Sequence, residues 1–244
     1  MARGREESVF ALTWNGQNPA LAVLWAMGGL AWGALIWWCI GRIVPEERDR
    51  TRDWRRPCLM AVTTVTALAA FATRVTGWNL AVFVVVTSTL LAVSLVDVRH
   101  RIIPDTVLLA GTLMLLVLWG AAGTALAAGG FHIAGKDAAV LSARHIGSGL
   151  AGAFLLGGVL FAIHLASAGR GMGMGDVKLA AFIGFVLGPV TGMWALLWGA
   201  VAGAIAALVA LVFHWRAIGD AIPYGPFLSL GAILLLLASG TVLV

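Results

Sequence analysis

Apolar residues fall in long, nearly uninterrupted runs, and short polar stretches or glycine-proline breaks separate one run from the next. Neither the alternation of a half-buried strand nor the narrow stripe of a surface helix describes them. A helix needs about 20 mostly apolar residues to cross a hydrocarbon core of ~30 Å. By that measure the runs predict helices at 20–43, 58–73, 78–96, 107–127, 146–168, 177–187, 190–213 and 227–244, an all-α polytopic membrane fold of about eight crossings. The sixth run rises only about 16 Å, and Gly188-Pro189 separates it from the seventh. It reads either as a short helix in a thinned or protein-lined region or as a partial insertion.

If all eight runs cross, the loops alternate sides and orientation follows from counting. Arg42, Arg48, Arg50, Arg52, Arg55, Arg56, Arg99, Arg101, Arg170, Lys178 and Arg216 share the side of Asp97, which is 11 of the 16 Lys and Arg residues. Arg3, Arg5, Arg74, Lys136 and Arg144 take the other. The positive-inside rule then places the first side in the cytoplasm and both termini outside. Merging the sixth and seventh runs into one crossing would send the loop with Arg216 and Pro223 across. The polar run 45–56 alternates sign and reads as a solvated loop that helps to fix topology.

Composition agrees with this picture and removes other classes. Hydrophobic residues make up 61% of the chain and charged ones 11%, too apolar for a polar shell around one soluble core. The formal charge of +5 then reflects cytoplasmic loops rather than a nucleic-acid surface. Eleven Trp against one Tyr suit interfacial anchoring, with Trp37, Trp38, Trp78 and Trp215 placed for it. Cys39 and Cys58 form no paired motif, so neither a disulfide framework nor a cysteine zinc site follows. The start of the chain is polar as far as Asn18 without a small-residue cleavage site, which is the expectation for a protein with no removable signal peptide.

Three segments carry candidate chemistry: 97–105 (DVRHRIIPD), 169–178 (GRGMGMGDVK) and 222–227 (IPYGPF). Asp97 closes the third predicted helix and Asp176 opens the sixth, so two carboxylates from distant sequence meet the same membrane face at similar depth. An acid there is costly unless it is hydrated, paired or used. Two carboxyls brought together share one proton, and one then activates a water while the other protonates a scissile carbonyl. Gly173 and Gly175, on either side of Met174, leave room for an extended substrate backbone.

Plainer readings stand beside these. Asp176 follows glycines and precedes a helix, as an N-cap does. Asp97 has Arg99 and Arg101 nearby as ion-pair partners. Asp105, after Pro104, reads as a cap, and Lys178 reads as a side chain snorkelling to phosphate headgroups. His100, His132, His145, His164 and His214 lack partners at metal-ligand spacing, so neither a metal nor a cofactor is expected. The glycine alternation lacks the Lys-Ser or Lys-Thr of a phosphate loop.

At these residues the chain resembles the type IV prepilin peptidases, bacterial GxGD-type membrane aspartic proteases. Asp97 with Ile103-Pro104-Asp105 is similar to the family's first motif, Gly173-Met174-Gly175-Asp176-Val177-Lys178 to its second, and Ile222-Pro223-Tyr224-Gly225-Pro226-Phe227 to its third. The resemblance covers about residues 60–244. It implies a catalytic pair, Asp97 and Asp176, with Pro104, Gly173, Gly175, Lys178, Pro223, Gly225 and Pro226 binding substrate or shaping the site. It also implies prepilin or pseudopilin precursors as substrates, cut at the cytoplasmic face of the bacterial inner membrane. Many members carry two cysteine pairs in an N-terminal cytoplasmic domain and also methylate the new N-terminus with S-adenosylmethionine. Here the corresponding loop is only 45–57 and Cys58 stands alone, so the expectation is a peptidase domain over 58–244, behind an N-terminal region 1–57, without methyl transfer. Three rivals remain open: the bifunctional enzyme, a proton- or cation-coupled transporter using the same aspartates near mid-membrane, and a purely structural assembly subunit that would tolerate loss of either acid.

Overall fold

A computed structural model describes residues 19–43, 55–72, 78–127, 135–169, 172–213 and 223–239. The described residues form seven helices and no strand: α1 (Pro19–Ile43), α2 (Arg55–Ala72), α3 (Trp78–His100), α4 (Asp105–Ala127), α5 (Gly135–Ala166), α6 (Met174–Val212) and α7 (Gly225–Ser239). Most of the loop 45–56, together with Arg170, His132, His214, Trp215, Arg216, Ile222, Thr73 and the end of the last predicted helix, lies outside the described residues. The chain forms two compact units, Met1–Arg74 and Val75–Val244.

In the first unit α1 lies against α2, and Gly29 makes the approach close. A Cβ at Gly29 would sit 2.7 Å from the Thr64 Cα. The threonines of α2 satisfy their own hydroxyls, as Thr64 Oγ1 does by donating to the Met60 carbonyl at 2.7 Å. This pairing of small residues with self-bonded hydroxyls suits helix contacts in lipid.

In the second unit α3 is the inner helix, packed on α4 and α7. Val82, Phe83, Val86, Leu90 and Val93 are all buried, as a helix apolar all round requires. Its Thr87 and Ser94 hydroxyls donate back to the Phe83 and Leu90 carbonyls at 2.6 and 2.7 Å. Segments Leu80–His100, Arg144–Ala166 and Met174–Val212 are long and apolar enough to cross a membrane, with shorter apolar helices beside them. The first is 61% buried inside the protein, the other two only 28% and 22%. Side chains such as Phe154 (80% exposed) and Val190 (71%) therefore face outward, and contiguous apolar surface of this extent belongs in lipid.

The sixth and seventh predicted runs belong to one element, α6, broken at Gly188. Its backbone there has φ 72° and ψ −179°, a conformation open essentially to glycine alone, and Pro189 follows. A straight helix would separate Gly184 from Gly192 by about 12 Å. Instead a Cβ on Gly192 would lie 3.4 Å from the Gly184 Cα. The chain doubles back, giving two antiparallel arms, 174–187 and 189–212. Along the first arm Gly152 of α5 meets Gly184 backbone to backbone, and the second arm packs on α7 where Gly199 faces Leu228.

Boundaries differ from the hydropathy reading where polar residues are helical. The fifth helix begins at Gly135 rather than near 146, because Lys, Ala, Leu and Arg are good helix formers whatever their hydropathy. The third continues to His100, which places Asp97 inside its last turn.

Candidate active site

Asp97 owes its position to the way α3 stops. The Arg101 N–H donates to the Asp97 carbonyl at 2.9 Å, and Arg101 takes φ 53°, the left-handed conformation that ends many helices. Ile102, Ile103 and Pro104 then return the chain to Asp105, the first residue of α4, where the Val107 N–H donates to the Pro104 carbonyl at 3.2 Å. Ile103 is buried against the start of α6, where a Cβ on Gly175 would come 2.9 Å from the Ile103 Cβ. Gly175 thus makes room for Ile103, and it lines the cleft together with the more exposed Gly173.

Asp176 is not the N-cap. That position belongs to Gly173, extended at φ −72° and ψ 147° and without a side-chain cap. Asp176 stands three residues later, donates its N–H to the Gly173 carbonyl at 3.2 Å, and takes a backbone hydrogen bond from Gly173 on its carboxylate. That is the returning half of a capping box. The capping function anticipated for this acid is present, one helical turn later than expected.

Asp97 is 6% exposed, and its Oδ2 accepts the Gly225 N–H at 2.9 Å across 128 positions of sequence. Gly225 opens α7, where N–H groups have no partner within the helix, and Pro226 beside it has none to satisfy. A Cβ on Gly225 would sit 2.8 Å from that same Oδ2. The third motif therefore reaches the site through a backbone donor and the absence of a side chain. Pro223 is half-buried just before it.

The two acids, 79 positions apart in sequence, line one cleft of about 540 Å³ with Arg101, Ile103, Pro104, Asp105, Gly173, Met174, Gly175 and Lys178. They are near enough for the Asp97 charge to act on Asp176. The Lys178 Nζ lies 2.6 Å from Asp105 Oδ2, with both side chains well exposed. Asp105, read from sequence as a cap, is the first residue of α4 and anchors that lysine. Among the described residues no three His, Cys, Asp or Glu side chains gather as a metal site.

Two residues escaped the sequence reading. Tyr224 lies between Pro223 and Gly225, its ring against Gly203 on the second arm of α6, where a Cβ would be 2.9 Å from Tyr224 Cε2. Burial first, and then the nearby Asp176 charge, push its phenol above the ordinary tyrosine range. The only signal was that the chain's one Tyr falls inside a quoted motif. His164, near the end of α5, reaches the Met172 carbonyl with Nδ1 at 2.8 Å, and no spacing rule announces that contact.

Residues 84–208 match the type IV leader peptidase family, just over half of the chain. The chain belongs to that family. It is also similar to the prepilin leader peptidase/N-methyltransferase of Aeromonas hydrophila, at 29% identity over 187 residues. The match takes in 75% of this chain and 58% of that relative, so less than two thirds of the relative's length is represented. No solved structure matches. The family segment contains both Asp97 and Asp176, whereas Tyr224 and Gly225 lie beyond its end. This leader peptidase family member is accordingly a membrane protein whose described residues form a helical fold, with Asp97 and Asp176 in one cleft at the ends of its helices.

Proposed function

We propose that the chain is a membrane aspartic endopeptidase that removes the leader from type IV prepilins or pseudopilins, with Asp97 and Asp176 as its catalytic pair. The observation that carries this reading is the meeting of these two carboxyls in one cleft, each held by a glycine N–H from a helix start. With Asp97 Oδ2 committed to Gly225, Oδ1 is the oxygen left to take part in the reaction. A water between the acids loses a proton to one carboxylate as its oxygen attacks the scissile carbonyl carbon. The other carboxyl gives its proton to the carbonyl oxygen, and the tetrahedral intermediate collapses with protonation of the leaving amine. Ile102 and Met174, exposed on the cleft, offer apolar contact to a precursor that continues into a hydrophobic helix.

Both acids stand near helix ends, which supports a site at a membrane face and speaks against a mid-membrane ion site. The basic-residue asymmetry supports placing that face in the cytoplasm, with the protein in the bacterial inner membrane. The peptidase unit is assigned to 58–244 and the preceding residues to an N-terminal region. Methyl transfer is not included, because Cys39 and Cys58 are single free thiols.

Purified protein and a prepilin test the reading directly. Asp97→Asn and Asp176→Asn should each abolish leader removal in protein that still inserts and folds, and the double substitution should be hardly worse than either, because the two act as one group. Near wild-type processing by either single variant would end the two-aspartate mechanism.

A further inference from the structure

Asp176 is presented by the first turn of α6, and that turn is only as fixed as the glycine-rich chain leading into it. Behind it α5 ends in a tight reversal. Ala168 and Gly169 both take left-handed backbone, at φ 51° and 74°, and the Gly169 N–H returns to the His164 carbonyl at 2.9 Å. The reversal folds the chain over the His164 ring, where a Cβ on Gly169 would lie 3.3 Å from Cε1. Phe161 stacks on the ring at 6.4 Å and 17°. From this bracket Nδ1 reaches the Met172 carbonyl at 2.8 Å. A carbonyl only accepts, so the hydrogen sits on Nδ1. Met172 immediately precedes Gly173, the N-cap that binds the Asp176 carboxylate.

We propose that His164 is a positioning residue of this peptidase: its Nδ1–H holds the Met172 carbonyl and thereby sets the helix start that presents Asp176. The inference rests on the peptidase reading above. A ring that merely packs would do the same work as phenylalanine, whereas a ring that holds a carbonyl would not. Asparagine carries an N–H near the position of Nδ1 but has no ring, so the two substitutions separate the two roles.

The experiment compares H164F and H164N in full-length detergent-purified protein, by prepilin cleavage kinetics and by hydrogen exchange at the Asp176 amide, which donates to Gly173 at 3.2 Å. H164F should lower kcat on the order of 10–100-fold, the scale of a misplaced catalytic group, with little change in KM and faster Asp176 exchange. H164N should recover most of both. Wild-type behaviour of H164F, or loss in H164N with H164F intact, overturns the proposal in favour of ring packing. If H164F does not accumulate, H164N decides alone: it must cleave at close to the wild-type rate, and a large loss overturns the role. If the wild-type protein does not cleave prepilin, the peptidase reading fails instead, and unchanged exchange in H164F would separately remove the clasp.

Discussion

Gly225→Ala isolates what the third motif contributes. The new Cβ would lie 2.8 Å from Asp97 Oδ2, 3.2 Å from its Cγ and 3.3 Å from its Cβ. An ordinary carbon–oxygen contact needs several tenths of an ångström more than the first of these, so Asp97 or the start of α7 must give way. The bond under strain is the 2.9 Å contact from the Gly225 N–H to the carboxylate, of a charge-assisted kind worth about 1.5–3 kcal/mol. For a group that must meet a reacting carbon, a displacement of about half an ångström should cost roughly 10-fold in kcat, given that ~1 Å costs about 100-fold. Stability should fall as well, by about 1–3 kcal/mol, because the added methyl overpacks a buried contact. Gly225 has no positive φ, so backbone strain adds nothing to that loss. Cleavage kinetics on a purified prepilin and thermal unfolding in the same detergent measure the two effects together. A variant that cleaves within twofold of wild type would refute the claim that this contact sets the Asp97 carboxylate.

Because the chain has a single Tyr, phenolate absorbance in the folded protein reports Tyr224 alone, and its midpoint should lie above 10.0 and move downward in Asp176→Asn. The sign follows for stability: the fold favours the neutral phenol, so this contribution is complete below the unfolded pKa and is lost as pH rises through the folded one. Tyr224→Phe should flatten that alkaline loss, and a midpoint at or below 10.0 would contradict the packing described. Gly188→Ala forces a Cβ onto φ 72° and within 2.8 Å of Ser148 Oγ, so unfolding in detergent should show a loss of about 1–3 kcal/mol, and an unchanged midpoint would argue against the bend. A double-mutant cycle on Asp105 and Lys178 should give a coupling of only about 0.2–1 kcal/mol, because both ends are exposed to solvent; a coupling well above that range would mean the pair is shielded. Reporter cysteines near Asp53, Arg101, Arg170 and Gly219 should be labelled only from the cytoplasmic side, and outside labelling of any one would overturn the proposed orientation.

The helices were legible because each apolar run records burial in protein or lipid, and the hairpin in α6 was foreshadowed by Gly188-Pro189. What runs of hydropathy do not encode is lateral adjacency. Nothing in the spacing of Asp97 and Gly225 marks a bond across 128 residues, and Lys178 finds Asp105 only because two helix starts face one another. The same limit hid a second role of Gly175, whose missing side chain accommodates Ile103. Polar helical residues were invisible for a different reason: the start of α5 is helical by propensity while failing a test of apolar content.

Asp97 and Asp176 are both gripped by main-chain amides, from Gly225 and Gly173 respectively. Amides of this kind cannot be deleted by exchanging one side chain for another; they can only be crowded, or carried off with the helix that bears them. Transplanting this pair into a different helical bundle would therefore mean reproducing two helix origins with bare α-carbons at the right separation. Copying the carboxylates alone would move the reagents and leave behind the part that aims them.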